Sequence, residues 1–212
     1  MGHEKRQAHM VERKGEEGTR IVKVPMTSEA SLALRAGDLV SLTGSIVTGR
    51  DRIHKYLVEE KPPVGDIPFD LSGTVLYHCG PVVAKRDGGY RVLSAGPTTS
   101  IRMEMYEASV IREYPIRGIM GKGGMGTKTL QALKDKACVY FHTIGGAAVY
   151  LADRIKNTAG VWKMDEFGPA EAMWLFEVEG FPAIVTMDAH GNDIHREIEN
   201  ISLKKFLELI GK

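Results

Sequence analysis

The chain has 212 residues, of which 43% are hydrophobic and 26% are charged. These proportions are those of an ordinary globular protein and indicate neither a disordered chain nor a membrane-spanning helix. The 28 basic and 27 acidic residues leave a net charge of +1, so no overall field attracts nucleic acid or anionic lipid.

The N-terminus and the cysteines bear on compartment and metal binding. Residues 1–19 are charged throughout and lack the apolar segment of a secretory signal. We therefore expect a mobile arm over residues 1–19, one domain over residues 20–212, and a cytoplasmic protein. The only two cysteines, Cys79 and Cys138, lie far apart in the sequence. That spacing suits buried thiols in a reducing compartment and predicts no metal bound by this chain.

Apolar periodicity in the first part of the chain predicts alternating strands and helices. Strands are expected over residues 21–25 and 38–46, with a helix over residues 28–35 between them. A second helix follows, with Asp51 as its N-cap and with Ile53, Tyr56 and Leu57 on one face.

The remainder of the chain continues this alternation. Residues 74–85 and 89–94 predict a hairpin with a turn at residues 86–88. A helix follows with Ile101, Met105, Ala108 and Ile111 on one side. Further strands are predicted at 116–120, 138–143, 173–179 and 183–188, and helices at 127–136, 147–155 and 203–210. The pattern is that of a single mixed α/β domain.

Three loops combine small residues with a basic side chain near the start of a predicted helix. They read TGRDRIH (48–54), GPTTSIR (96–102) and GKGGMG (121–126). Free backbone N–H groups and the helix dipole favour anions at such places, and Arg50, Arg102 and Lys122 sharpen that preference. Taken singly, each glycine could serve only a tight turn and each arginine only the solvated surface. Together, the three loops favour an anion site.

The glycine loop at residues 121–126 does not match the nucleotide-binding motifs well. A P-loop requires a first glycine separated from the Gly-Lys pair by four residues and a hydroxyl residue after the pair, whereas this chain has Ile116 and Gly123 at those positions. The spacing of Gly121, Gly123 and Gly126 fits the dinucleotide fingerprint, but the next strand ends without the acidic residue that would bind ribose. Nucleotide binding is therefore not favoured.

These loops, followed by IGGAA at residues 144–148, resemble the β subunit of the iron–sulfur hydro-lyases. That family comprises the two-subunit class I fumarate hydratases and L-tartrate dehydratases. The likeness extends over about residues 20 to 200 and includes PFDLSG (68–73), EAMW (171–174) and DAHGND (188–193). For the fold, the resemblance implies a swivelling β/β/α-type single domain with a mixed sheet and flanking helices.

For function, the resemblance implies reversible addition of water across the double bond of a dicarboxylic acid. A four-iron, four-sulfur cluster would be held by a partner α subunit. The two distant thiols of this chain are consistent with that arrangement, because they could not hold such a cluster themselves. The expected assembly is a hetero-oligomer that shares one active site, with no nucleic acid or membrane partner. The expected reaction is hydration of fumarate to (S)-malate, with L-tartrate dehydration as the alternative. A non-catalytic anion-binding regulatory module is the second alternative.

Residue roles also follow from the resemblance. Arg50 and Arg102 match the substrate-carboxylate arginines, and Lys122, beside Gly123, matches the lysine that reaches the substrate. Thr98 matches a threonine proposed to move a proton together with an acidic residue of the α subunit. A free threonine hydroxyl is a poor base, so this role requires activation by a neighbour.

Other polar and sulfur residues are interpreted as supporting ones. Asp51 is expected to have a structural role as a helix cap, and for His54 both substrate contact and a structural role stay open. His78 and His142 are expected to be core or edge residues rather than a metal pair. Three methionines are interpreted as packing residues: Met103, Met120 and Met125.

Overall fold

The structure is a computed structural model that describes residues 18–86 and 88–211. Most of the expected N-terminal arm, the central residue of the predicted 86–88 turn and the C-terminal residue lie outside the described residues. In the described part of the chain, no helix is both long enough and apolar enough to cross a lipid bilayer.

The described residues form nine strands and seven α-helices, which confirms the expectation of a single mixed α/β domain. The strands are β1 Arg20–Val24, β2 Leu39–Thr48, β3 Val75–Tyr77, β4 Val82–Arg86, β5 Gly89–Ser94, β6 Gly118–Gly121, β7 Val139–His142, β8 Ile155–Trp162 and β9 Met173–Met187. The helices are α1 Ser28–Leu32, α2 Asp51–Glu59, α3 Glu104–Glu113, α4 Thr127–Asp135, α5 Ala148–Ala152, α6 Met164–Phe167 and α7 Ile194–Leu209. Strands β4 and β5 form the predicted hairpin as a separate two-stranded sheet.

Seven strands form one mixed sheet in the order β1-β2-β3-β6-β7-β9-β8, and an additional pairing joins β2 to β9. Strands β2, β3, β6 and β7 are parallel to one another. Strand β9 runs antiparallel to both β7 and β2. Because β9 contacts both ends of that parallel series, the five strands β2, β3, β6, β7 and β9 close into a ring.

Two apolar clusters fill the space inside and around this ring. One contains large, fully buried aromatic side chains, including Trp174, Phe141 and Phe181. The other packs helices α2, α3 and α4 against the sheet through residues such as Ile53 and Leu133. The periodicity predicted for α2 is confirmed in part, since Ile53 and Leu57 are fully buried whereas Tyr56 is only half-buried. Met103, Met120 and Met125 are buried as expected.

Several predicted elements differ from the structure. The predicted strand over residues 74–85 is two short strands, β3 and β4. The two strands predicted over 173–179 and 183–188 are one 15-residue strand, because Gly180 adopts a positive φ of 64° and the chain continues through it. Strand β8 was missed altogether, and its first residue falls in the predicted helix 147–155. Helix α7 begins at Ile194 rather than near residue 203, since Asp193 caps it.

Register places the first and third predicted anion loops at one edge of the sheet, and the Cys79–Pro97 and Thr99–Lys122 bridges bring the second loop to the same edge. Thr48 of β2 aligns with Tyr77 of β3, which aligns with Met120 of β6, which aligns with Phe141 of β7. The carboxyl ends of the four parallel strands therefore lie side by side. Loops that leave neighbouring parallel strands at their carboxyl ends commonly form ligand sites.

Candidate active site

The first loop is anchored to the start of β9. The Thr48 hydroxyl donates to the Ala172 carbonyl at 3.3 Å and accepts a hydrogen bond from the Trp174 N–H at 3.0 Å. Arg50 follows, and its Nη2 lies 3.3 Å from Oε1 of Glu171. Its Nε atom is buried without a hydrogen-bond partner in the described residues. The Arg50 guanidinium is therefore held at the sheet edge with donor capacity still unused.

Asp51 does not cap α2, so that prediction was wrong. The N-cap is Arg50, whose extended backbone precedes the helix and whose own side chain makes no capping hydrogen bond. The Arg52 N–H in the first turn donates instead to Oε2 of Glu171 at 3.1 Å. Asp51 is instead the first helical residue, and its carboxylate forms an ion pair with the guanidinium of Arg102. This pair joins the first loop to the second. Because half of the Arg102 side chain is exposed, the pair contributes at most about 1 kcal/mol and can open for a competing carboxylate.

The second and third loops are joined by backbone hydrogen bonds. Thr99 and Lys122 form an isolated parallel β-bridge. The Ser100 N–H donates to the Lys122 carbonyl at 3.0 Å, and the Lys122 N–H donates to the Thr98 carbonyl at 3.2 Å. Thr98 and Lys122 therefore lie on adjacent segments. Gly121 permits this approach, because a Cβ atom there would overlap the Ser100 hydroxyl.

Lys122 and Gly123 sit on the turn that follows β6. Gly123 has a φ of 75°, which side-chain-bearing residues rarely adopt. Its carbonyl oxygen accepts a hydrogen bond from the Tyr140 hydroxyl at 2.8 Å, and His142 Nδ1 lies 3.3 Å from it. Within residues 18–86 and 88–211, no acidic side chain forms a salt bridge with the half-buried Lys122. Among the described residues, Lys122 is thus a cation without an acidic counter-ion.

His54 is fully buried beneath the loops, so the structure favours the structural alternative over substrate contact. Its Nδ1 donates to the Arg50 carbonyl at 2.8 Å, and its Nε2 donates to Oε2 of Glu107 at 3.1 Å. His78 is also fully buried, and its Nε2 lies 2.9 Å from the same carboxylate oxygen. His78 is thus a core residue, as predicted, but a polar one.

Four polar residues around the loops were not predicted from the sequence: Glu107, Ser100, Tyr140 and Glu171. For Glu107 a signal existed. It stands four residues after Met103 and four before Ile111, so it occupies the apolar face of α3, where a carboxylate is unusual. For the others, only the three-dimensional arrangement shows the contacts.

Comparison with known proteins identifies the family. The family model described as "Fumarase C-terminus" matches residues 2–198. The chain is 48% identical over 198 residues to a Geobacillus stearothermophilus protein provisionally named a class I fumarate hydratase. It is 40% identical over 187 residues to a Methanocaldococcus jannaschii protein provisionally named an L(+)-tartrate dehydratase β subunit. It is 37% identical over 180 residues to the Escherichia coli L(+)-tartrate dehydratase β subunit.

The chain belongs to the Fumarase C-terminus family. The matched region includes all three loops and every candidate site residue. Those alignments cover 93%, 88% and 84% of this chain. The chain spans 37% of the length of the Geobacillus relative, 96% of the Methanocaldococcus relative and 87% of the Escherichia relative.

The cysteines of this Fumarase C-terminus chain do not fit an iron–sulfur cluster. Cys79 and Cys138 are both free and fully buried. Burial raises the pKa of the Cys79 thiol to about 12 and raises the pKa of Cys138 as well. Cluster ligation requires thiolates, usually four of them around one site. A cluster that serves the loops would need ligands other than these two cysteines.

Proposed function

We propose that this chain is the β subunit of a class I fumarate hydratase, which reversibly hydrates fumarate to (S)-malate together with an α subunit. One observation carries the proposal: Arg50, Arg102 and Lys122 occupy adjacent loops at one edge of the sheet, and Lys122 has no acidic partner among the described residues. A dicarboxylate supplies the two negative groups that such a set of cations would bind.

The cations would act both in binding and in the chemical step. Arginine binds a carboxylate through two parallel N–H groups, which fixes the orientation of the substrate. Removal of a proton next to a carboxylate places additional negative charge on its oxygens. Fixed cations aimed at those oxygens stabilise that charge more in the transition state than in the ground state. We assign Arg50 and Arg102 to carboxylate binding and Lys122 to binding and charge stabilisation.

Thr98 is the proposed proton-transfer residue of this chain. Its backbone is fixed on both sides, since its N–H donates to the His78 carbonyl at 2.7 Å and its carbonyl accepts from Lys122. Among the described residues, none forms a hydrogen bond with the Thr98 hydroxyl. A threonine hydroxyl needs a neighbouring base to take part in proton transfer at neutral pH. That base is assigned to the partner α subunit.

The proposed cofactor is a four-iron, four-sulfur cluster that belongs to the α subunit. Because the two thiols of this chain do not fit such a cluster, its own residues are assigned only to binding, orientation and proton transfer. The resulting complex is a hetero-oligomer whose active site lies between the two subunits, and its proposed location is the cytoplasm.

L-tartrate dehydratase is the second candidate, because two of the relatives carry that name. The motifs divide between the two substrates. The GKGGMG loop and IPFDLSG (67–73) resemble tartrate dehydratase β subunits, whereas IGGAA and WLFEVEGFP (174–182) resemble fumarases. We favour fumarate, since the glycine-rich loop also occurs in two-subunit fumarases.

Reconstitution with an anaerobically prepared α subunit tests the proposal. The complex is assayed on fumarate and on L-tartrate, and the isolated chain is titrated with nucleotides and dicarboxylates. We expect turnover only in the complex, and we expect it to fall by about a hundredfold or more in Lys122→Ala. Lys134→Ala, on the exposed side of α4, is the matched control.

Two results would contradict the proposal. Near-normal turnover of a correctly assembled Lys122→Ala complex would remove the lysine from the reaction. Tight nucleotide binding by the isolated chain, with no turnover of either diacid in the complex, would support the regulatory-module alternative.

A further inference from the structure

A buried polar cluster lies directly beneath the three loops. It consists of His54 on α2, His78 after β3 and Glu107 on α3, and all three side chains have zero solvent exposure. Oε2 of Glu107 lies 3.1 Å from His54 Nε2 and 2.9 Å from His78 Nε2. We call these three residues the His–Glu–His cluster. A buried carboxylate is destabilising unless it is paired, and here the two imidazoles pair with it.

Each loop is connected to this cluster by hydrogen bonds. In the first loop, the Arg50 carbonyl accepts from His54 Nδ1 at 2.8 Å. In the second, the Ser100 hydroxyl lies 2.9 Å from His78 Nδ1. The third is reached through Tyr140, whose single hydroxyl proton is shared between Ser100 Oγ at 2.9 Å and the Gly123 carbonyl at 2.8 Å. Among the described residues, these hydrogen bonds therefore connect the cluster to all three loops.

Hydrogen-bond chemistry assigns the charges within the cluster. Both ring nitrogens of His54 face oxygens that can only accept, the Arg50 carbonyl and the Glu107 carboxylate, so both nitrogens carry protons. His78 Nδ1 instead faces a hydroxyl that can donate to it, which permits a neutral ring. The cluster thus contains an imidazolium, a carboxylate and a neutral imidazole, with no net charge.

The pKa directions agree with that assignment. Burial would raise the pKa of Glu107, but the adjacent His78 and His54 outweigh burial and lower it to about 2. Burial opposes a charge on both histidines. Glu107 overcomes that effect at His54 and raises its pKa, whereas the pKa of His78 stays lowered. The other titratable groups that act on the cluster or feel its charge are Asp51, Cys138 and Tyr140.

The geometry explains what such a cluster contributes beyond stability. A buried ion pair often stabilises a protein no more than apolar side chains of the same volume would. A ring bonded through both of its nitrogens, however, cannot rotate freely, and it fixes the groups bonded to it. His54 is such a ring, and it fixes the backbone of Arg50. His78 packs against the Glu107 carboxylate and is hydrogen-bonded through Nδ1 to the hydroxyls that reach Gly123, beside Lys122.

We propose that Glu107 is a positioning residue that, through His54 and His78, holds the three substrate loops in one fixed arrangement. This inference rests on the proposed function, since it assigns Glu107 to the site that would bind the dicarboxylate. Glu107 itself acts through other residues. Displacement of a substrate-binding group by about 1 Å can cost a hundredfold in rate, so loss of the carboxylate is expected to weaken substrate binding first.

Kinetics of the reconstituted complex test this role. Glu107→Gln keeps the shape of the side chain and removes its charge, and Tyr140→Phe removes only the hydroxyl that reaches Gly123. We expect Glu107→Gln to lower kcat/KM by about tenfold to a hundredfold, mainly through KM, with a smaller effect of the same kind in Tyr140→Phe. Glu113→Gln, at the exposed end of α3, and Tyr114→Phe, which loses a buried hydroxyl away from the loops, are the matched controls.

The pH profile separates positioning from a general structural role. As the pH rises through the pKa of His54, the imidazolium is lost and the wild-type kcat/KM is expected to fall. Glu107→Gln is expected to lack that alkaline limb, while both controls keep it. A wild-type KM and an unchanged profile in Glu107→Gln would overturn the proposal. If Glu107→Gln does not fold, Tyr140→Phe tests the proposal through KM alone, because this variant keeps the His54–Glu107 pair. A KM increase of at least about threefold is expected, and a wild-type KM would overturn the proposal.

Ring-nitrogen NMR of the isolated, isotopically labelled chain provides a readout independent of activity. The expected spectrum at pH 7 shows one doubly protonated buried imidazole and one neutral one, and the doubly protonated signal is lost in Glu107→Gln. If the complex turns over neither diacid, the proposed function fails while the spectrum still tests the cluster.

A metal ion is the competing occupant of the cluster. The three ligand atoms lie within 4.8 Å of one another, and His78 Nε2 and Glu107 Oε1 have no aligned hydrogen-bond partner among the described residues. The probe is zinc, added to the full chain and followed by dialysis. Stoichiometric zinc that is retained by the wild type and lost in Glu107→Gln would overturn the proton-based assignment.

Discussion

Replacement of Glu107 by glutamine is expected to make the protein sensitive to mild acid. In the wild type, burial opposes the charge on His54, but Glu107 outweighs it and raises the pKa of His54 above its usual 6.5. A folded histidine with a raised pKa contributes stability that is complete below pH 6.5 and is lost as the pH rises through the folded pKa. Acidification from pH 7.5 to pH 5 therefore does not destabilise the wild type through His54.

Glutamine reverses the sign of this contribution. Without the carboxylate, burial dominates and the pKa of His54 falls below 6.5, so only the unfolded variant takes up the proton. Each pH unit below 6.5 then removes about 1.4 kcal/mol from the free energy of unfolding. Between pH 7.5 and pH 5 the variant should lose about 2 kcal/mol more than the wild type. Burial already lowers the pKa of His78, and loss of Glu107 removes an interaction that raises it, so His78 adds to the acid sensitivity of the variant.

Urea unfolding at pH 7.5 and at pH 5 measures this difference through the fluorescence of Trp174, which is fully buried. Glu113→Gln is the control, because its side chain is partly exposed and pairs with Lys61 across the surface. The same change of unfolding free energy with pH in Glu107→Gln and the wild type would refute the charge assignment of the cluster.

Three further predictions concern the site and the core. Arg102→Ala is expected to lower the turnover of the reconstituted complex by about a hundredfold or more, in a steady-state assay, because a fixed cation is lost; wild-type turnover would remove it from the site. Gly121→Ala is expected to cost about 1–3 kcal/mol in thermal unfolding, since the added methyl group overlaps the Ser100 hydroxyl. Cys79 is expected to resist a thiol reagent at pH 8 in the folded chain, because burial raises its pKa to about 12; modification within minutes would contradict this.

Much of the fold follows from local patterns. The alternation of strands and helices, the β4–β5 hairpin and the buried face of α2 are all encoded within short windows of sequence. Strand β8 is not encoded in this way. It pairs only with β9, its residues are mostly partly exposed or exposed, and its polar composition lacks the apolar alternation of an interior strand. Its position depends on β9 rather than on its own sequence.

The candidate site likewise contains residues that the sequence predicts and residues that it does not. Arg50, Arg102 and Lys122 were predicted as site residues because each follows a small-residue loop at a predicted helix or strand boundary. Tyr140 lies inside β7 and resembles an ordinary strand residue in sequence. Glu107 stands out only as a carboxylate on the apolar face of α3, and the sequence does not show what it contacts. Their importance comes from contacts between separate elements, which sequence periodicity does not report.

The pairing of β2 with β9 also imposes an order on the folding of the chain. Leu39 pairs with Ile184 and Val47 pairs with Leu175, so the ring closes only when the last strand of the sheet is present. Contacts between residues so distant in sequence form slowly, and unpaired strand edges promote association with other chains in the meantime. During synthesis, β2 and β7 are left without their β9 partner until the ribosome has released it. The three loops are therefore made before β9, but the frame that holds them is completed only with it.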